Sequence, residues 1–195
     1  MDAFTPDVSA APRPAPAWVE SMGGPLIVVP VSALSAWGGC TEQGMVVGDG
    51  DVPDDYDRAC AVDDLAGVIP IGDDGGQGLV LGDMPARTCY LPAHRAFLRW
   101  GGADSEAELV AAAETVLADP AVEWEASGTW RTDGPAVLMD SAEAGGLLGV
   151  EYPGGGRPEQ APVPLPHGRW AVQSVHARAC DRTSLDLVRL VPVAS

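Results

Sequence analysis

Closely spaced carboxylates are the most conspicuous reactive groups in this chain. The segment GDGDVPDDYD, residues 48–57, carries Asp49, Asp51, Asp54, Asp55 and Asp57. Carboxylate clusters of this kind can bind Ca²⁺, but an EF-hand loop needs D-x-[DN]-x-[DN]-G and a Glu at its twelfth position. Counted from Asp49, the fifth position is Pro53, the sixth is Asp54 and the twelfth is Cys60. The match fails, and the segment is expected to be a solvated acidic loop, free to face a partner. Asp73 and Asp74 lie in IGDDGGQG. Glycine-rich loops cradle phosphates through backbone N–H groups. This one lacks the Lys-[Ser/Thr] of a P-loop, and its two carboxylates would repel a phosphate, so a β-turn is expected.

Glu123 and Glu125 flank Trp124. On a strand both carboxylates would point to one face, close to the separation of about 5–10 Å that glycosidases use. An ordinary solvent face with Trp124 turned inward has the same pattern and needs no chemistry. The histidines, His94, His167 and His176, have neither zinc-ligand spacing nor a cysteine at finger spacing. A Cys–His pair assembled by folding stays open on spacing alone. No G-x-S-x-G nucleophile elbow occurs. No cofactor is implied.

The elements that would position these residues are mostly strands. Leu26–Val29 is an apolar run suited to a buried strand, fed by a turn at Gly23, Gly24 and Pro25. Ser32 can cap a short helix over about residues 32–37. Ala59–Val62 is expected to be a short strand. Val68–Ile71 and Gly78–Leu81 are two strands joined by GDDGGQ, and Thr88–Leu91 and Ala96–Trp100 are two more. One dominant helix spans about residues 105–118. Ser105 caps it, Glu108 completes a capping box, and Leu109, Ala112, Ala113, Val116 and Leu117 form its apolar stripe. Beyond it, VEWEASGTW, AVLMDS, LLGVEYP, RWAVQSVHARAC and LDLVRLVPV are strand candidates. Arg182 and Thr183 turn the last two into a hairpin, and residues 154–168 are expected to be a loop. The fold class is α+β, a mostly antiparallel sheet protein with one dominant helix. Residues 1–16 are expected to be a disordered Pro/Ala-rich tail, and 17–195 a single domain.

Charge narrows the partners. Asp and Glu number 28 against 11 basic residues, all arginine, for a net charge of −17 over 195 residues. Nucleic-acid binding draws its affinity from clustered positive charge. With no such cluster, nucleic acid and anionic membrane surfaces are disfavoured, whereas a basic protein partner is allowed. Glycine (24) and proline (18) make up about a fifth of the chain, against a usual ~12%, so turns should be many and long helices few. No secretory leader or membrane-length apolar run stands in the sequence. Four scattered cysteines, none in a CxxC pair, suit reduced core thiols, and a cytoplasmic protein is expected.

Four stretches in order go further: WVESMGGPLIVVP, LVLGDMPARTCYLPAHRAFLRW, the ADSEAEL helix start, and WEASGTWRTDGPAVLMDSAEAG. Over roughly residues 18–150 the chain resembles the immunity protein 21 family of bacterial polymorphic toxin systems. Departures such as Cys89 and Ala93-His94-Arg95 fall where no specific role is at stake. The resemblance implies a non-enzymatic protein that binds a cognate toxin domain and blocks it, and it carries over no catalytic residues. A basic toxin, for instance a nuclease, would suit the net charge. On that view the contact candidates are Asp49, Asp51, Asp54, Asp55, Asp73 and Asp74. The rival classes are an accessory interaction domain and a small hydrolase.

Overall fold

The computed structural model describes residues 15–41, 53–82 and 85–194. Of the expectations above, the tail at 1–14 and the positions of Asp49 and Asp51 lie outside the described residues. Two antiparallel sheets form the body. The first has the order β1 (Trp18–Val19), β5 (Thr88–Leu91), β6 (Ala96–Gly102), β11 (Ser184–Pro192), β10 (Gly168–Arg178), β7 (Glu125–Thr132). The second has the order β3 (Ala66–Ile71), β4 (Gly76–Leu81), β2 (Leu26–Pro30), β8 (Ala136–Asp140), β9 (Gln160–Val163). The fold class is α+β with antiparallel sheets, as the sequence implies.

The sheets pack face to face. Leu26, Val28, Leu79, Leu81 and Leu138 of the second sheet meet Phe97, Trp130, Trp170, Val172, Val188 and Leu190 of the first in one apolar cluster. Each sheet is also covered on its outer face. Helix α2 (Glu106–Ala118) sets Leu109 and Ala113 against Cys89, Leu98, Leu185 and Leu187 of the first sheet. A 3₁₀ segment (Val31–Ala36), helix α1 (Asp55–Cys60) and a second 3₁₀ turn (Gly145–Leu147) flank the second sheet. There Trp37, Ala59 and Leu148 pack on Ile27, Val29, Ile71, Val80 and Met139. β2 is therefore buried on both faces, which is why LIVVP is apolar without alternation.

Local chemistry explains the boundaries. The Ser105 hydroxyl accepts from Glu108 N–H at 3.2 Å and starts α2. The Glu108 side chain, however, accepts a hydrogen bond from the Thr183 hydroxyl and so ties the helix to the β10–β11 hairpin. Arg182 and Thr183 turn that hairpin as expected. Asp119, ahead of Pro120, ends the helix.

Four local expectations are corrected. Ala59–Val62 is not a strand: Asp54 and Asp57 form a reciprocal capping box that starts α1 at Asp55. LLGVEYP is not a strand either. The glycines and the proline around it break it into a 3₁₀ turn and bends, with only Leu148 buried. Inside the expected loop 154–168 lies β9, an edge strand whose Ala161 and Val163 reach the core. Its Pro162 is tolerated because an edge strand has no partner on one side. Lastly, only Cys89 is a core thiol; Cys40 is half-buried, and Cys60 and Cys180 are exposed. The short helix near 32–37 is present as the 3₁₀ segment, but Pro30 precedes it and Ser32 donates instead to Asp133 at 2.9 Å.

Candidate functional site

Two stretches that carry the family resemblance meet in space. In the first, the Ser21 hydroxyl donates to Gly24 C=O at 2.6 Å and folds SMGGP into a tight turn. Gly24 has no room for a side chain, because a Cβ would sit 2.5 Å from the Tyr56 ring. In the second, β8 ends in Asp140-Ser141. Met22 N–H donates to Asp140 Oδ2 at 2.7 Å, and Ser141 Oγ donates to Pro25 C=O at 2.6 Å. Ser141 is fully buried, so its hydroxyl must find a partner or leave a costly unsatisfied group.

The chain then leaves the sheet on a rigid footing. Trp37 Nε1 donates to Ser141 C=O at 3.1 Å, Cys40 N–H to Ala142 C=O at 2.9 Å, and Gly145 N–H to Trp37 C=O at 2.9 Å. Two glycines make this approach feasible. A Cβ at Gly39 would collide with the Ala142 carbonyl, and one at Gly145 with the Leu34 carbonyl. Beyond Gly145 the excursion runs to Glu159 and exposes Leu147, Val150 and Tyr152, and Met22 of the SMGGP turn is exposed as well. The Tyr152 hydroxyl donates to Glu143 Oε1 at 2.6 Å. That bond, with desolvation behind it, pushes the phenol up to about 12. The Glu159 carboxylate accepts from Glu20 N–H at 2.8 Å and closes the far side.

Asp54 and Asp55 have work inside the fold. Asp54 accepts from Asp57 N–H at 2.8 Å and from Thr41 N–H at 2.8 Å. Desolvation raises its carboxyl, but these hydrogen bonds outweigh it and hold the group below its ordinary range. Asp55 accepts from Gly38 N–H at 2.7 Å and pairs with Arg58. The pair thus fastens α1 to the segment after the first 3₁₀ turn.

Asp73 and Asp74 sit elsewhere, on the turn between β3 and β4. They form the exposed β3–β4 turn, with Gly72 and Gly75 at φ 59° and 78°. The turn borders an open cleft of about 900 Å³ whose wall also includes Asp133, Arg95, His167 and Arg169. Arg95 adopts φ 48°, in the left-handed region that non-glycine residues rarely enter. Its guanidinium lies 5.6 Å from the centre of the Trp170 ring. Across the turn, Trp130 Nε1 donates to Gln77 C=O at 3.0 Å and Gln77 Oε1 accepts from Arg131 N–H at 2.9 Å, which sews the two sheets together. The acidic candidates therefore do not form one patch. Asp54 and Asp55 are together at α1, and Asp73 and Asp74 are together at the cleft.

A family model for immunity protein 21 matches residues 17–183, from the lead into β1 to the β10–β11 turn. The chain belongs to the immunity protein 21 family. No curated protein and no solved structure matches it.

In this immunity protein 21 member the remaining candidates for chemistry are apart from both regions. Glu125 opens β7 and Glu123 precedes it; both are exposed with Trp124 half-buried between them, the ordinary solvent-facing pattern. Trp124 between them is half-buried under Arg189, whose guanidinium lies 3.8 Å from the ring centre. His176 Nδ1 hydrogen-bonds Asp186 Oδ1 at 2.7 Å, a base-and-orienter pair in form. Among the described residues no cysteine or serine is hydrogen-bonded to that histidine. Asp186 also faces the buried Arg99 at 3.7 Å, a structural pairing near the core. No helix is long and apolar enough to cross a membrane among the described residues.

Sequence reasoning did not single out Leu147, Val150 and Tyr152, nor the buried Asp140 and Ser141. One signal was available. LLGVEYP is an apolar run between glycine-rich segments, which suits an exposed turn better than a paired strand.

Proposed function

We propose that this protein neutralises a cognate toxin domain by binding it stoichiometrically, without catalysis, in the cytoplasm. The observation that carries this reading is the immunity protein 21 match over residues 17–183. The net charge of −17 supports a basic toxin as the partner. Opposite net charges steer encounter and can raise association rates to about 10⁸–10⁹ M⁻¹s⁻¹ at low salt. Rapid capture suits a protein that must act before its target does damage. A nuclease fits this description, because holding a nucleic acid demands a basic surface.

The acidic contacts proposed for steering are Asp49, Asp51, Asp54, Asp55, Asp73 and Asp74. Asp73 and Asp74 lead among them, since their side chains are exposed at a turn and hold no element in place. The test is co-expression with the toxin domain encoded nearest to this chain in its source genome, scored for survival and co-purification. Survival together with a 1:1 complex is the expected result. Cell death with no complex would overturn the pairing.

A further inference from the structure

We infer that the exposed apolar face formed by Met22, Leu147, Val150 and Tyr152 is the surface on which the toxin seats. The occupant is a basic domain presenting an apolar spot among arginines or lysines. This inference rests on the toxin-binding reading above and specifies where that binding draws its affinity.

The four side chains are 91%, 55%, 54% and 39% exposed. Met22 N–H and Glu143 N–H (3.2 Å) both reach Asp140, the Tyr152 hydroxyl reaches Glu143, and Leu147 and Val150 lie in the turn that leads to Tyr152, closed by Val150 N–H to Leu147 C=O at 2.8 Å. Large apolar groups gathered on one rigid excursion are unusual on a protein surface and mark interaction sites. Nor is the excursion loosely attached. It is pinned by the buried Ser141 and Trp37 and by two glycines that admit no Cβ. A surface held in one shape before binding loses little entropy on association. Tyr152 is itself held by Glu143 and by Tyr152 N–H donating to Gly156 C=O at 2.9 Å. Rigid tyrosines are enriched among hot-spot residues, and Met22 supplies an adaptable contact beside it.

Charge selects the occupant. Along residues 140–159 the carboxylates of Glu143, Glu151 and Glu159 reach the surface against one cation, Arg157, while Asp140 is buried. Glu20, on the Glu159 side, is paired with Arg87 at 3.1 Å. A second copy of this chain would bring the same acidic rim onto itself in a two-fold contact, and like charges so placed repel. A basic partner meets no such penalty.

The test measures binding of the full-length chain to the toxin domain encoded beside it, by surface-coupled kinetics, with sedimentation of the free chain alongside. Met22→Ala with Tyr152→Ala should raise Kd at least about 100-fold, mainly through faster dissociation. Leu147→Arg, a second variant on an exposed position, should do the same and keeps the test usable if the tyrosine change unsettles the excursion. Unchanged melting of each variant checks the fold. A wild-type complex with all three substitutions within about 3-fold of its Kd would overturn this surface and leave the toxin-binding reading intact. A wild-type chain that binds no toxin domain would overturn that reading and this surface with it. A dimer of the free chain that Leu147→Arg dissolves would assign the face to a second copy and overturn the inference.

Discussion

The Asp140–Tyr152 excursion and the Ile71–Gly76 turn both carry exposed residues on glycine-bearing loops, yet they are built in opposite ways. In the excursion, a buried indole and a buried hydroxyl hold the backbone, and Gly39 and Gly145 lie against carbonyl groups with no space for a methyl. At the turn, Gly75 has the same sign of φ, but nothing lies within 4 Å of where its Cβ would be. The excursion presents apolar atoms and the turn presents carboxylates. Apolar contact gains affinity only when desolvated against a fixed shape, whereas steering charge acts across about a Debye length and tolerates motion. The difference suggests separate roles, seating at the excursion and steering at the turn.

Trp37→Ala should give the largest effect, about 3–5 kcal/mol of stability, because it opens a cavity and strands the Ser141 carbonyl. Urea unfolding measures it, and a loss under about 1 kcal/mol would mean that Trp37 is not the footing of the excursion. Next comes a matched pair of glycine substitutions. Gly39→Ala combines a left-handed backbone with a collision and should cost about 3 kcal/mol. Gly75→Ala has the backbone term alone and should cost about 1 kcal/mol. Equal losses in thermal unfolding would erase the structural contrast between the two regions.

Asp54→Ala should cost about 1 kcal/mol, the usual effect of losing a helix cap. The sign of its pH dependence follows from a folded pKa below the unfolded value. The stabilisation is present above the unfolded pKa of about 3.9 and is lost as pH falls through the folded one. Stability measured from neutral pH downward should therefore fall less steeply below about pH 4 in the variant than in the wild type. Identical acid limbs would remove Asp54 from the account.

The smallest effect on stability belongs to Asp73→Asn with Asp74→Asn, within about 0.5 kcal/mol. Its signature is kinetic. Association with the toxin domain should slow and lose part of its salt dependence, while dissociation stays at the wild-type rate. Faster dissociation without slower association would exchange the roles assigned to the two regions.

Much of the strand pattern was legible because alternation and apolar runs are local signals. Leu26–Val29, Thr88–Leu91 and the Ser105-capped helix all stand where the sequence puts them. Where expectations failed, a weak local preference met a stronger demand. Ala59–Val62 has strand-forming character, but Asp54 and Asp57 bond each other's backbone and start a helix first. Residues 160–163 place Gln160 and Pro162 at the exposed alternate positions, which disguises a strand that only β8 could recruit. The candidate contacts were legible as charge and not as geometry. Nothing in the spacing of Asp54 and Asp55 distinguishes a capping carboxylate from a free one such as Asp73.

Net charge, turn positions, the apolar character of each strand and the cap of α2 can all be read from the order of the amino acids alone. These depend on residues within a few positions of one another, or on simple sums over the chain. The junction of SMGGP with DSAEAG was decided only by the tertiary structure. The partners Met22 and Asp140 are 118 residues apart, and Pro25 and Ser141 are 116 apart. Such bonds exist only after β2 and β8 have paired side by side. The pairing follows from burying both faces of β2, a free energy shared by the whole core that no single segment encodes.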